Sequence, residues 1–183
     1  MSNTLLLPYK KWRMKTILLL TAFLFFTAVN SQNLKKYPVS NSGCFLYSYC
    51  ESTYDVDFSD DSSKVYTGEC KFGDVTYGII CVKLLKTVID ADAAEELMIS
   101  YVEFLKNSFN IKKATGYAKG HRLNNNENTR GILDYWEDNE QDKWKIKAWT
   151  DGSFIGFLYA YSKKELPETK VNPFLESFRL PGM

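Results

Sequence analysis

The stretch DAAEELMISYVEFLKNSFN, residues 92–110, decides the fold class. Ala94, Leu97, Met98, Tyr101, Leu105 and Phe109 recur with the 3.6-residue period of an α-helix, while Glu96, Glu103 and Lys106 fall on the opposite side. Asp92 and Glu95 stand in capping-box spacing at its start. A helix with a single apolar stripe has one face to bury, so it packs on a sheet.

Strand patterns flank this helix on both sides. Upstream, residues 44–58 alternate, with Phe45, Tyr47 and Tyr49 on one side and Cys44, Leu46 and Cys50 on the other. The turn cluster Ser59-Asp60-Asp61-Ser62-Ser63 leads into a returning strand over 64–71. Gly73-Asp74 is the next tight turn, and residues 75–85 are apolar on both faces, as a central strand requires. Downstream, a strand over 114–123 and a polar Asn124-Asn125-Asn126 loop precede an antiparallel meander of 130–137, 143–150 and 154–162. Asn172 is placed to cap a short helix with Pro173 at its first position, turning Phe174, Leu175 and Phe178 inward. The fold class is α+β: an antiparallel sheet with one long amphipathic helix and a short C-terminal one.

The N-terminus carries an address. Lys10, Lys11, Arg13 and Lys15 precede an uncharged run over 16–29, and Val29-Asn30-Ser31 supplies compact residues for cleavage. This is the layout of a signal peptide over 1–31, leaving Gln32 as the mature N-terminus. Met14 begins MKTILLLTAF, a complete signal by itself. The run is shorter than the roughly 20 apolar residues of a membrane-spanning helix, so no stable membrane insertion is expected after cleavage. Residues 32–43 read as a flexible lead-in and 44–183 as one domain. The expected location is periplasmic or extracellular.

Cleavage removes four of the 23 basic residues and none of the 22 acids, leaving 19 against 22, a net charge of −3. That balance argues against nucleic acid, which is bound by clustered Lys and Arg that displace counterions.

All four cysteines, Cys44, Cys50, Cys70 and Cys81, lie in the exported part, and an even count in an oxidising compartment reads as two disulfides. Their spacings of 5, 19 and 10 intervening residues do not match the paired thiolates of structural zinc. With a turn centred near Asp60-Asp61, opposed residues have numbers summing to about 121–123. Cys50 and Cys70 fall within one slip of that register, so they pair and leave Cys44 for Cys81.

Few residues suggest chemistry. His121 is the single histidine, so a Ser-His-Asp or Cys-His site would have to use it. Gly120-His121-Arg122 sits at a strand end, where a surface or hydrogen-bonding histidine is the simpler account. Asp55, Asp57 and Ser59 match the first ligand positions of a calcium loop, but Asp60 stands where glycine is needed and Tyr66 where glutamate is needed. The acids Asp134, Glu137, Asp138, Glu140 and Asp142 bracket another turn and read as solvated. No cofactor pattern is present. Lys143, Lys145 and Lys147 alternate with Trp144, Ile146 and Ala148, which puts three ammonium groups and Trp149 on one strand face, expected to be exposed. Such a face is either a solvated strand side or an anion- or glycan-contacting surface, with Trp149 as a stacking platform.

The order of elements carries a resemblance. Residues 92–110, Gly120-His121-Arg122-Leu123 leading to residues 131–136, and Phe174-Leu175-Glu176-Ser177-Phe178-Arg179 together resemble the PsbP-like family over roughly residues 44–180. The resemblance implies an α/β/α sandwich around an antiparallel sheet, and a binding or assembly role with no active site. The expected function is therefore a non-catalytic exported module that binds a protein, glycan or lipid at the cell envelope. The alternative is a small envelope hydrolase, which needs two carboxylates roughly 5–10 Å apart in a pocket.

Overall fold

A computed structural model describes residues 33–183; the expected signal, 1–31, and Gln32 lie outside the described residues. In chain order the elements are β1 (Lys35–Pro38), β2 (Phe45–Ser48), β3 (Thr53–Phe58), β4 (Lys64–Phe72), β5 (Val75–Lys83) and α1 (Ala91–Ser108). Then come β6 (Ile111–Ala114), β7 (Ala118–His121), β8 (Arg130–Asp138), β9 (Lys143–Thr150), β10 (Phe154–Ser162) and α2 (Glu168–Leu175). β1 and β2 pair as a small hairpin, and the other eight strands form an antiparallel sheet in the order β3-β4-β5-β10-β9-β8-β6, with β7 also on β8.

Alternation along β10 shows why helices cover both faces. Phe154, Leu158 and Ala160 point into a core shared with Val171, Phe174 and Leu175 of α2 and with Phe178. Ile155, Phe157 and Tyr159 point the other way, into a core shared with Met98, Val102 and Leu105 of α1. The helices thus cover opposite faces of the sheet. Among the described residues no helix is long and apolar enough to cross a membrane.

Register follows the turns. Val56 opposes Tyr66 and Phe58 opposes Lys64 across the Ser59–Ser63 turn, as its centre near Asp60-Asp61 requires. At the next turn Phe72 opposes Val75, with Gly73 at φ +64° in the first central position of a two-residue hairpin, where glycine is favoured.

Several boundaries depart from expectation, each for a local reason. The lead-in is not free: Lys35–Pro38 pairs with Phe45–Ser48. Residues 44–58 break into β2 and β3 at a corner where Cys50 is bonded to Cys70. Asp90, not Asp92, caps α1, its carboxylate accepting from Ala93 N at 2.7 Å. The strand expected over 114–123 is two short strands, because Asp134 Oδ1 draws in Thr115 Oγ1 and Gly116 N between them. α2 begins a turn earlier than expected, after Pro167, and Pro173 lies inside it, so one helical hydrogen bond is forgone.

Candidate functional site

β9 presents Lys143, Lys145, Lys147 and Trp149 on one face, as its alternation requires. That face is not open to water: Lys145 and Lys147 are only 4 % and 5 % exposed, and Trp149 is fully buried. The cause is α2. Glu168, Asn172 and Glu176 recur every four residues, one helical stripe, and that stripe lies over the lysines. The Lys145 ammonium donates to Glu168 and, at 2.7 Å, to Asn172 Oδ1, and it stands 4.9 Å above the Tyr135 ring. Lys147 pairs with Glu176 and stands 4.6 Å from the Trp149 ring. Lys143, at the strand end, pairs with Glu137 and keeps 44 % of its side chain in water.

Burial alone would push the Lys145 ammonium down. Its hydrogen bonds to Glu168 and Tyr135 outweigh that, and the group is held above its ordinary value. Trp149 offers no stacking platform. Its Nε1 donates to Leu175 O at 3.1 Å, and its ring lies on Gly131, where a Cβ would stand 2.4 Å away. Glycine is what lets the indole approach the backbone so closely.

Beneath α2 these side chains line a cleft of about 290 Å³. Its polar walls are His121, Lys145, Lys147, Asn172 and Glu176, with Leu133 and Leu175 as the apolar ones. The size is at the small end of ligand pockets and suits one compact group. Burial, and then the neighbouring Lys147 charge, holds His121 below its usual value, which favours the neutral ring. The His121 ring meets the edge of Trp149, with centroids 6.5 Å apart. Neither serine nor cysteine lines the cleft, and its single carboxylate is Glu176. A cleft with two ammonium groups and one carboxylate is equipped to receive a negatively charged or hydroxyl-rich group. It lacks the pair of acids that glycoside hydrolysis uses.

No protein-family model matches the chain, and no curated protein matches it in sequence.

The other candidate residues are accounted for locally. Asp61 accepts from Ser63 N at 3.0 Å and from the Ser59 and Ser63 hydroxyls, closing the β3–β4 turn. Among the described residues no group of three or more His, Cys, Asp or Glu is placed to hold a metal ion. The acids at the β8–β9 turn are not all solvated: Asp134, Asp138 and Asp142 are buried. Asp134 accepts from Trp136 Nε1 at 2.7 Å, Tyr135 N at 2.8 Å and the two groups between β6 and β7, with Lys106 Nζ at 3.5 Å. Asp138 accepts from Trp144 Nε1 at 2.9 Å and from Glu140 N and Asp142 N. Buried backbone and indole donors explain carboxylates that composition alone assigns to water.

Cys50 and Cys70 are joined, with Cα atoms 5.9 Å apart. Cys44 and Cys81, expected as a second disulfide, are buried free thiols.

Proposed function

We propose that the mature protein is an exported, non-catalytic binding or assembly module of the cell envelope, periplasmic or extracellular, built on a PsbP-like plan. On this reading its partner is a protein, glycan or lipid that presents a compact anionic group to the cleft under α2. The observation that carries the proposal is the pair of buried lysines beside an accessible cleft. The carboxylates of Glu168 and Glu176 that neutralise them are half exposed, at 54 % and 52 % of their side chains. A ligand oxyanion can take the place of Glu176 on Lys147 while that carboxylate returns to water, so the exchange costs little desolvation. The sequence of elements, with helices on opposite faces of an antiparallel sheet, supports the family plan. The export signature and the disulfide support the compartment.

The test is a titration of ¹⁵N-labelled protein with inorganic phosphate, with glucuronate and with phosphatidylglycerol vesicles. Saturable shifts at His121, Lys147 and Glu176 are expected for at least one probe, and they should vanish in Lys147→Met. No saturable shift at these residues with any of the three would sink the reading.

A further inference from the structure

Three contacts bring Cys44 and Cys81 together across the fold. Phe45, next to Cys44, exchanges two backbone hydrogen bonds with Arg179, of 3.1 and 2.8 Å. The adjacent Phe178 ring lies on Gly156, where a Cβ would stand 2.4 Å from it. Gly156 in turn is the cross-strand partner of Cys81. Ser42 closes the arrangement: its Oγ accepts from Cys44 N at 3.0 Å. Cys44 and Cys81 belong to the same buried cluster. Their side chains are 2 % and 0 % exposed and sit in one core with Leu46, Tyr66 and Phe178.

We propose that Cys44 and Cys81 are a disulfide-forming pair, a second cross-link fastening the N-terminal hairpin and the C-terminal tail to the centre of the sheet. The proposal rests on the export reading only for its oxidant, a disulfide-bearing thiol oxidase or a small disulfide such as oxidised glutathione. In the first step one cysteine thiolate attacks the oxidant's S–S bond, giving a mixed disulfide and one released thiol. The second cysteine then displaces the other oxidant thiol. Two electrons pass to the oxidant, the two cysteine protons end on the two released thiols, and one S–S bond forms as one breaks. The step belongs to folding. Once the core has closed, neither sulfur is accessible, and the neighbouring Cys44 thiol, and then burial, hold the Cys81 thiol well above its ordinary value, where little thiolate exists.

The deciding experiment denatures and reduces the protein, refolds it with oxidised glutathione, then denatures and alkylates it without reduction. No alkylated cysteine is expected, and proteolysis should release a peptide pair joining Cys44 to Cys81 beside the Cys50–Cys70 pair. Alkylation of Cys44 and Cys81 in the refolded protein overturns the proposal, as does a cross-link of either to another cysteine. This outcome depends on neither export nor the cleft, so it stands or falls apart from the proposed function. As a second measurement, the Cys44→Ser/Cys81→Ser protein should fold with Cys50–Cys70 intact and melt roughly 10 °C below the oxidised parent, because a cross-link spanning 37 positions is lost. An unchanged melting temperature contradicts a cross-link in the parent.

Discussion

Removing the two ends of the Lys147–Glu176 pair should have unequal consequences. The Glu176 side chain is 52 % exposed and that of Lys147 7 %. Glu176→Ala leaves an ammonium beneath α2 with no counter-charge. Breaking a buried pair from one side costs roughly 3–5 kcal/mol, and the adjoining cleft admits some water, so we expect about 2–3 kcal/mol here. Lys147→Met deletes the buried charge, keeps an apolar stem of similar length over Trp149 and returns Glu176 to solvent. Replacing buried charge by apolar volume is near neutral, so the expected change is within about 1 kcal/mol. For a domain of this size 1 kcal/mol moves the melting temperature by roughly 2–4 °C. Glu176→Ala should therefore melt some 5–10 °C lower and Lys147→Met within about 4 °C of the parent. The double variant should recover most of the loss of Glu176→Ala, a coupling read from the double-mutant cycle. Circular-dichroism melts and urea titrations of the four proteins measure it. Equal losses in the two single variants, or a greater loss in Lys147→Met, would refute the argument that uncompensated burial sets the cost.

Three further perturbations follow from the packing and the charges. Gly131→Ala forces a methyl against the Trp149 ring, only 2.4 Å from the new Cβ position, and should cost about 1–3 kcal/mol by urea denaturation, as overpacked cores do. Stability should fall on acidification: hydrogen bonds from Lys143 and Lys113 hold Glu137 down to about 2, and burial holds His121 below its ordinary value. Groups depressed on folding contribute stability above their unfolded values and lose it as pH falls through the folded ones. The melting temperature should therefore decline from neutral pH through the histidine range and again between about pH 4 and 2, a trend that pH-series calorimetry reads directly. The ring proton resonances of His121 should titrate below the usual histidine midpoint, and Lys147→Met should move that midpoint upward by removing the nearby positive charge, as an NMR pH series will show.

Much of the fold was legible because it rests on local periodicity. Lys143–Thr150 and Phe154–Ser162 have the bounds their alternation sets, and the β3–β4 register follows from one turn. What periodicity cannot convey is which face of a strand receives a cover. Alternation puts the lysines of β9 on one side, but Lys145 and Lys147 are not in water as expected, because their cover lies more than twenty positions later in the chain. A signal for it was present in Glu168, Asn172 and Glu176, a polar stripe at helical spacing that matches the charge of the strand face. Treating Asn172 as a helix cap hid that stripe, since its side chain is spent on Lys145. The buried carboxylates of Asp134 and Asp138 were hidden for a related reason. Most of their donors are indole and backbone groups, which carry no charge pattern to read. The one charged partner, Lys106 at 3.5 Å from Asp134, is a helix residue whose spacing places it on the wet side.

The strand order has a consequence for the timing of assembly. β5 sits between β4, which directly precedes it, and β10, which begins about 70 residues after it ends. A chain emerging N-terminus first can close the β3–β4–β5 meander at once, yet one whole side of β5 then stands without hydrogen-bond partners until the last strand arrives. Such an edge is a template for wrong neighbours, and long-range pairing of this kind is slow to form. The hairpin of β1 and β2 waits longer still, since its bridge is to Arg179. The sheet cannot complete itself until nearly all of the chain is available, which makes the unpaired side of β5 the surface a holding chaperone would have to cover.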